Sequence, residues 1–499
     1  MGDELTRRDV IRAGGAGAAG LTLFGAAGCD SDDEAAGKEI KLGRAPVGAM
    51  NVVVVVMDSL RADHIYGRGA QTPTWNKAFK ESLRFTRAFP EAMPTIPARR
   101  SVMSGKRIYP YRGWHPYKGL PPQPGWEPVG SDGRMWTEVL RARGWTTGYV
   151  TDNPHILLPV HKNFRSRLDR VELVDGQVPL RRKPQGPVPS QATVDHYLPP
   201  SLRGSRHEPR MKAYLQANPP GRPENEYLSP RVFSEAMGWV EWARTRQPFA
   251  LVIDSFDAHE PWDVPKRISD MYGAPDPSGV EPIQPFPTPA AKYASLGLTQ
   301  SILHRMRELY AAEVTMVDAW LGHFLDRLAN LALLDNTLVI LTSDHGVLLG
   351  EYGWVGKRYT EVHTELSHVP MAIRHPKGKA KGKASRYWAS HHDIGPTVLS
   401  ALGVSKPHSM NGTDLSPLLD GKQPREKRHY RTAAYAYTVV ARDANWLLIA
   451  DSSGRDKRLY SLRHERRNVD VAHRYPQHVR RLWGYIRKDA GSKPLPNYR

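Results

Sequence analysis

Carboxylates close three of the most apolar segments of the chain. Asn51 to Met57 is a valine run followed at once by Asp58, Phe249 to Ile253 is followed by Asp254, and Leu338 to Thr342 leads through Ser343 to Asp344 and His345. If these runs lie side by side as strands of one open sheet, the acids converge beyond its carboxyl edge, where such sheets hold their ligands. A second pattern is Thr95-Ile96-Pro97-Ala98-Arg99. Pro97 suits the first turn of a helix. Arg99, four residues after Thr95, shares its helix face and can steady a nucleophile and an anionic partner near the helix N-terminus. The plainer alternative is a helix start that Thr95 merely caps. Asp257-Ala258-His259-Glu260-Pro261 and Gly353-Trp354-Val355-Gly356-Lys357 add a histidine and a lysine, although a lone histidine is more often structural than catalytic.

Positioning these groups requires a particular architecture. The three runs are β-branched and apolar throughout, the pattern of strands buried on both faces. Between them, Met306 to Leu334 carries apolar residues at helical spacing and stops at Asp335-Asn336. Strands alternating with helices predict an α/β fold with a doubly wound, mostly parallel sheet. Residues 160 to 230, rich in Pro and Arg, and 263 to 298, rich in Pro, read as long excursions over the active face. After about residue 424 the pattern changes to short β-prone pieces, Tyr435 to Val440 and Trp446 to Ala450, then a helix near Gln477 to Arg487. This predicts a main domain over 50–423 and a small C-terminal α+β subdomain over 424–499. Lys377 to Lys383, alternating Lys with Gly or Ala, reads as a solvated loop.

The chain has 499 residues, with 70 Lys and Arg against 51 Asp and Glu. A net charge of +19 favours anionic partners: a phosphate- or sulfate-bearing substrate, an acidic polymer or lipid head groups. No nucleic acid partner is expected, and the sequence leaves the oligomeric state open. The composition excludes wholesale disorder and fibrous repeats. No apolar run reaches the roughly 20 residues of a membrane span, which excludes a polytopic helical membrane protein.

At the amino terminus, Thr6-Arg7-Arg8-Asp9-Val10-Ile11-Arg12 precedes a Gly/Ala-rich, weakly apolar stretch ending Gly25-Ala26-Ala27-Gly28-Cys29. This resembles a twin-arginine export signal closed by a lipoprotein box. Cys29 is the only cysteine, so no intramolecular disulfide exists and the thiol is available to carry lipid. Residues 1–29 then form the signal and 30–49 a tether. The expected location is the outer face of the cytoplasmic membrane, with lipid on Cys29 as the membrane contact.

Together, the motifs between residues 50 and 490 resemble the sulfatase family of the alkaline phosphatase superfamily. Asp58-Ser59-Leu60-Arg61-Ala62-Asp63-His64 is similar to the family's opening metal-binding strand end, although sulfatases often carry a second Asp where Ser59 stands. Thr95-Ile96-Pro97-Ala98-Arg99 matches the pattern C-x-P-x-R, with Thr95 at the nucleophile position. Ser343-Asp344-His345-Gly346 and the downstream Lys357 are similar to the second metal motif and its lysine, and His259 lies in an H-x-P turn. The resemblance implies one divalent metal ion held by Asp58, Thr95, Asp344 and His345. Such mixed ligands suit Mn or Zn over Mg, with Ca compatible because sulfatases use it. It also implies that Arg99, Lys357 and His259 stabilise charge on the substrate. Thr151-Asp152-Asn153-Pro154-His155 stands where many sulfatases have G-K-W-H, which makes His155 a general-acid candidate.

Most sulfatases oxidise the motif cysteine to formylglycine, whose two hydroxyls attack and then expel the sulfate by elimination. Thr95 has one hydroxyl. The resemblance therefore implies attack by Thr95 on phosphorus in a phosphate mono- or diester, followed by release to water or another acceptor. The alternatives are a sulfate ester hydrolase working without formylglycine and a catalytically silent binder of acidic glycans or lipids.

Overall fold

The computed structural model describes residues 43–67, 69–175, 186–284, 286, 290–463 and 468–498. Arg7, Arg8 and Cys29, with the signal and most of the tether, lie outside the described residues. Eight strands form the central sheet: β1 (Asn51–Met57), β2 (Leu83–Ala88), β3 (Thr146–Thr151), β4 (Arg170–Leu173), β5 (Phe249–Ser255), β6 (Thr337–Ser343), β7 (Val369–Arg374) and β8 (Ala384–Ser385). Their spatial order is β8-β2-β7-β6-β1-β5-β3-β4. Every neighbouring pair is parallel except those made by β7, which runs against both β2 and β6. β1 is central, with Val54 paired to Val252 on one side and Ile340 on the other.

The valine run is uniformly apolar because its two faces enter two cores. Val53, Val55 and Met57 pack with Phe233 and Trp239 of α2 (Leu228–Ala243) and Leu309 and Phe324 of α3 (Gln300–Asn330). Val52, Val54 and Val56 pack with Ile96 and Met103 of α1 (Thr95–Ser104) and with Trp136 and Val398. Helices on both faces of a mostly parallel sheet make the doubly wound α/β architecture that the alternating pattern predicts. Gly148 on β3 permits one close approach: a Cβ there would sit 2.2 Å from the Trp239 ring.

A second sheet of four antiparallel strands, Arg431–Tyr435, Thr438–Arg442, Trp446–Asp451 and Arg458–Ser461, carries the helix Pro476–Asp489 on one face through Leu482 and Ile486. A fifth strand, Ala92–Met93, joins it in parallel with Arg431–Tyr435. That strand directly precedes α1, so the second sheet braces the start of the helix bearing Thr95 and Arg99.

Two elements differ from their sequence reading. The β-prone run Tyr435 to Val440 is a hairpin whose turn places Ala436 at φ 49°, a bend with no Gly, Pro or Asn to signal it. The long helix begins at Gln300 rather than near Met306. Thr299 caps it, its hydroxyl accepting the Ile302 N–H at 3.2 Å, and the helical spacing ends at Asn330.

Candidate active site

The strand ends and α1 meet at the carboxyl edge of β1, β5 and β6. Asp58, Asp254, Asp344 and His345 are all fully buried there. Ser59, at φ 58°, turns the chain after β1 so that its N–H donates to Asp344 Oδ1 at 2.9 Å, while its hydroxyl donates to Asp58 Oδ1 at 2.7 Å. Ser343 locks the two loops together: its hydroxyl accepts the Leu60 N–H at 3.0 Å and donates to the His345 carbonyl at 2.8 Å. Asp63 and His64 stand outside this cluster. Arg61 holds Asp63 at 2.6 Å and Glu351 at 2.8 Å, which ties the loop after β1 to the loop after β6.

Thr95 is the first residue of α1, and Arg99 projects from the next turn into the carboxylates. Its guanidinium lies 3.0 Å from Asp58 Oδ2 and 2.6 Å from Asp254 Oδ1, contacts Asp344 Oδ2, and donates to the Thr95 carbonyl at 3.3 Å. Asp254 is completed by the Tyr149 hydroxyl at 2.8 Å. Burial and the neighbouring Asp344 hold Asp58 above the usual carboxylate range. Burial and Asp254 likewise hold Tyr149 well above its ordinary value.

The donor set fits a divalent cation. Ligand atoms of Asp58, Asp344 and His345 lie within 4.8 Å of one another. His345 Nδ1 meets the Gly346 carbonyl at 2.8 Å, which puts the proton on that nitrogen and leaves Nε2 as a bare acceptor. Nε2 lies 3.4 Å from Asp344 Oδ2 and 3.8 Å from Asp58 Oδ1, and it is buried without a hydrogen-bond partner. An orphaned buried imidazole nitrogen beside clustered carboxylates is what a cation would satisfy. Burial holds the His345 imidazole to about 4, so it is neutral at ordinary pH, as a ligand must be.

A second group stands beside the first. Lys357 Nζ lies 2.8 Å from His259 Nε2 and 3.0 and 3.1 Å from the two oxygens of Glu260, and His259 Nδ1 is 2.6 Å from the Glu260 carbonyl. The Tyr435 hydroxyl from the second sheet donates to the Lys357 carbonyl at 3.1 Å. Phe256 stacks on His259 with ring centroids 4.2 Å apart, and the same ring lies 6.4 Å from His155. His155 is the second residue of the short helix Pro154–Leu157, its N–H held by the cap Asn153, and meets Trp126 edge-on at 4.8 Å. Burial lowers its pKa to about 4, opposed in part by Asp58.

All eight residues singled out in the sequence thus lie on one edge of the sheet. Four partners add to them. Asp254 and Glu260 stand inside motifs already noted, one as a strand-end acid and the other beside His259. Tyr149 and His391, whose Nε2 donates to the Ser343 carbonyl at 2.8 Å, come from segments with no local signal.

The sulfatase family profile matches residues 50–404. The chain belongs to the sulfatase family. It is an ester hydrolase of the alkaline phosphatase superfamily, whose sulfatase members are metal-dependent. Arylsulfatase of Clostridium perfringens is 24% identical over 394 residues, covering 74% of this chain and 78% of its own. N-acetylglucosamine-6-O-sulfatase of Bacteroides thetaiotaomicron is 38% identical over 128 residues, only 22% of its length. Among solved structures, a phosphonate monoester hydrolase from Silicibacter pomeroyi superposes with a TM-score of 0.67 at 18% identity, covering 90% of this chain and 96% of the other. A protein solved with its substrate D-glucosamine-2-N,6-O-disulfate superposes with a TM-score of 0.65 at 17% identity, covering 90% and 100%. At these identities the superpositions show the shared fold.

Proposed function

We propose that this sulfatase-family protein acts on phosphate mono- or diesters with Thr95 as its nucleophile. The Thr95 oxygen forms a bond to phosphorus, the bond to the ester oxygen breaks, and water or an alcohol then takes the phosphoryl group from Thr95. The observation that carries this reading is the single hydroxyl of Thr95, first residue of the helix whose Arg99 contacts the Thr95 carbonyl, Asp58 and Asp344. One hydroxyl supports displacement but not the elimination open to formylglycine. A divalent ion held by Asp58, Asp344, His345 and the Thr95 hydroxyl, with Mn or Zn suited to these donors and Ca compatible, would lower the pKa of that hydroxyl and offset phosphoryl charge.

The chain's own groups supply the rest. Arg99 holds the carboxylates in register and places a cation beside the nucleophile. Lys357 spends its donors on His259 and Glu260, so a substrate oxygen can take the bond now made to His259 Nε2. His259 then faces the leaving group or a nonbridging oxygen. His155, neutral at ordinary pH, is better suited to take a proton from attacking water than to give one at the first step. Hydrolysis of a sulfate ester is the second reading, favoured by relatives named as sulfatases.

Matched aryl phosphate, phosphodiester, phosphonate and sulfate esters test the choice. Phosphoesters turn over much faster than the sulfate, quenched enzyme carries phosphate on the Thr95 peptide, and Thr95→Ala loses about three orders of magnitude in rate. Sulfatase activity equal to phosphatase activity, or full activity in Thr95→Ala, sinks the proposal. We also propose that the mature protein is exported and anchored by lipid on Cys29; a Cys29→Ser protein that stays in the membrane fraction after a high-salt wash contradicts this.

A further inference from the structure

The amino-terminal end of the central sheet, opposite the active site, carries a cationic cavity. β2 runs against β7 and β7 against β6, so β2 points the same way as β1 and β6. Leu83, which opens β2, therefore lies at the far end of the sheet from Asp58 and Asp344, with β8 beside it. A cavity of about 430 Å³ opens there, lined by Lys383, Arg386, Lys422, Lys427 and Arg428, with Glu426 as its single acid. That acid is already committed: Glu426 pairs with Arg428 at 2.6 Å and bonds Thr413, and Arg428 also pairs with buried Asp393 at 2.7 Å. Among the described residues, Lys383, Arg386, Lys422 and Lys427 form no ion pair, and all four are exposed. The alternating Lys377 to Lys383 loop forms one border, with Lys379 paired to Asp420 and Lys381 to Glu81. The local field is felt nearby: besides burial, Arg386 pushes Arg87 below its usual range, and Lys379 and Lys377 do the same to His375.

The chain enters the fold at this same end. Gly43, the first described residue, donates its N–H to the Ala142 carbonyl at 2.9 Å, just ahead of β3, with Arg44 and Arg143 exposed beside it. Only thirteen residues, 30 to 42, separate Gly43 from Cys29. Fully extended they reach about 45 Å, less than the usual breadth of a folded chain this large, so the end that receives them stays near any membrane that holds Cys29.

We infer that this end of the molecule docks on an anionic phospholipid bilayer, with Lys383, Arg386, Lys422 and Lys427 seating head-group phosphates and the catalytic edge turned away from the membrane. Unpaired lysines and arginines near an anionic bilayer each contribute attraction, and several together hold a peripheral surface in place. The orientation rests on the lipid-anchor reading of Cys29; the docking surface itself does not.

The test uses the full chain as Cys29→Ser, which carries no lipid, with and without Lys383→Gln, Arg386→Gln, Lys422→Gln and Lys427→Gln. Both proteins are sedimented with phosphatidylglycerol or phosphatidylcholine vesicles and assayed on a soluble aryl ester. The expected result is binding to phosphatidylglycerol but not phosphatidylcholine, release by about 0.5 M salt, and at least about tenfold weaker binding by the fourfold variant at unchanged ester turnover. The shared leader cancels in the comparison of the two proteins. Equal binding by both, equal capture by the two lipids, or binding of inorganic phosphate without vesicles overturns the inference. Ester turnover is read separately, so failure of the proposed chemistry leaves the vesicle result standing.

Discussion

The ammonium of Lys357 donates to His259 Nε2 across 2.8 Å, which fixes this histidine as an acceptor. Its Nδ1, 2.6 Å from the Glu260 carbonyl, must then carry the ring proton. Both contacts hold only for a neutral ring. Burial, and after it the positive charge of Lys357, push the His259 pKa well below its ordinary value. The site thus holds the His259 ring neutral, with Glu260 paired to the lysine beside it.

Removing the cation should free the histidine. In Lys357→Met the His259 pKa rises, by about one unit or more in a histidine NMR titration, because one of its two main depressing causes is gone. kcat/KM falls by about two orders of magnitude, as expected when a charge that meets the substrate's oxygens is lost. An unchanged His259 titration would show that Lys357 does not set its state.

Arg99 is one cation facing Asp58, Asp254 and Asp344, all buried. Truncation to Met leaves those acids with less compensation and should cost about 3–5 kcal/mol in urea unfolding of the metal-depleted protein. Arg99→Lys restores charge but not the planar fork, so it should recover part of that stability while kcat/KM stays at least about tenfold low. Wild-type stability in both variants would mean that the cluster does not depend on its arginine.

Much of this site was legible because its residues sit where sequence pattern is strongest. Asp58, Asp254 and Asp344 follow continuous apolar runs, and such runs must be strands covered on both faces. Thr95 and Arg99 are tied by a helical turn, and His259 and Lys357 by motifs that match a family. Their partners were less visible for a physical reason. Tyr149 reaches Asp254 only because β3 lies beside β5, and His391 reaches Ser343 across 48 residues of chain. Neither contact leaves a periodicity or spacing behind. The cationic cavity was hidden in the same way. Lys377 to Lys383 reads as a solvated loop, and its neighbours Lys422 and Lys427 join it only through the fold.

The buried histidines make the fold acid-sensitive in a calculable direction. His161 is fully buried, and burial lowers its pKa to about 4, against about 6.5 for an unfolded histidine. Between these values the unfolded chain binds a proton that the folded chain refuses, so stability rises with pH across that window. The contribution is complete above about pH 6.5 and is lost progressively as pH falls toward 4. One such group supplies a slope of about 1.4 kcal/mol per pH unit and about 3 kcal/mol in all. His161→Gln should therefore flatten the stability profile between pH 6.5 and 4 by about that slope, whatever it does to stability at pH 8. Urea unfolding at several pH values checks this, since the comparison is of slopes rather than of absolute stability. A variant whose profile runs parallel to that of the wild type would show that His161 takes up its proton as readily in the folded protein as in the unfolded chain.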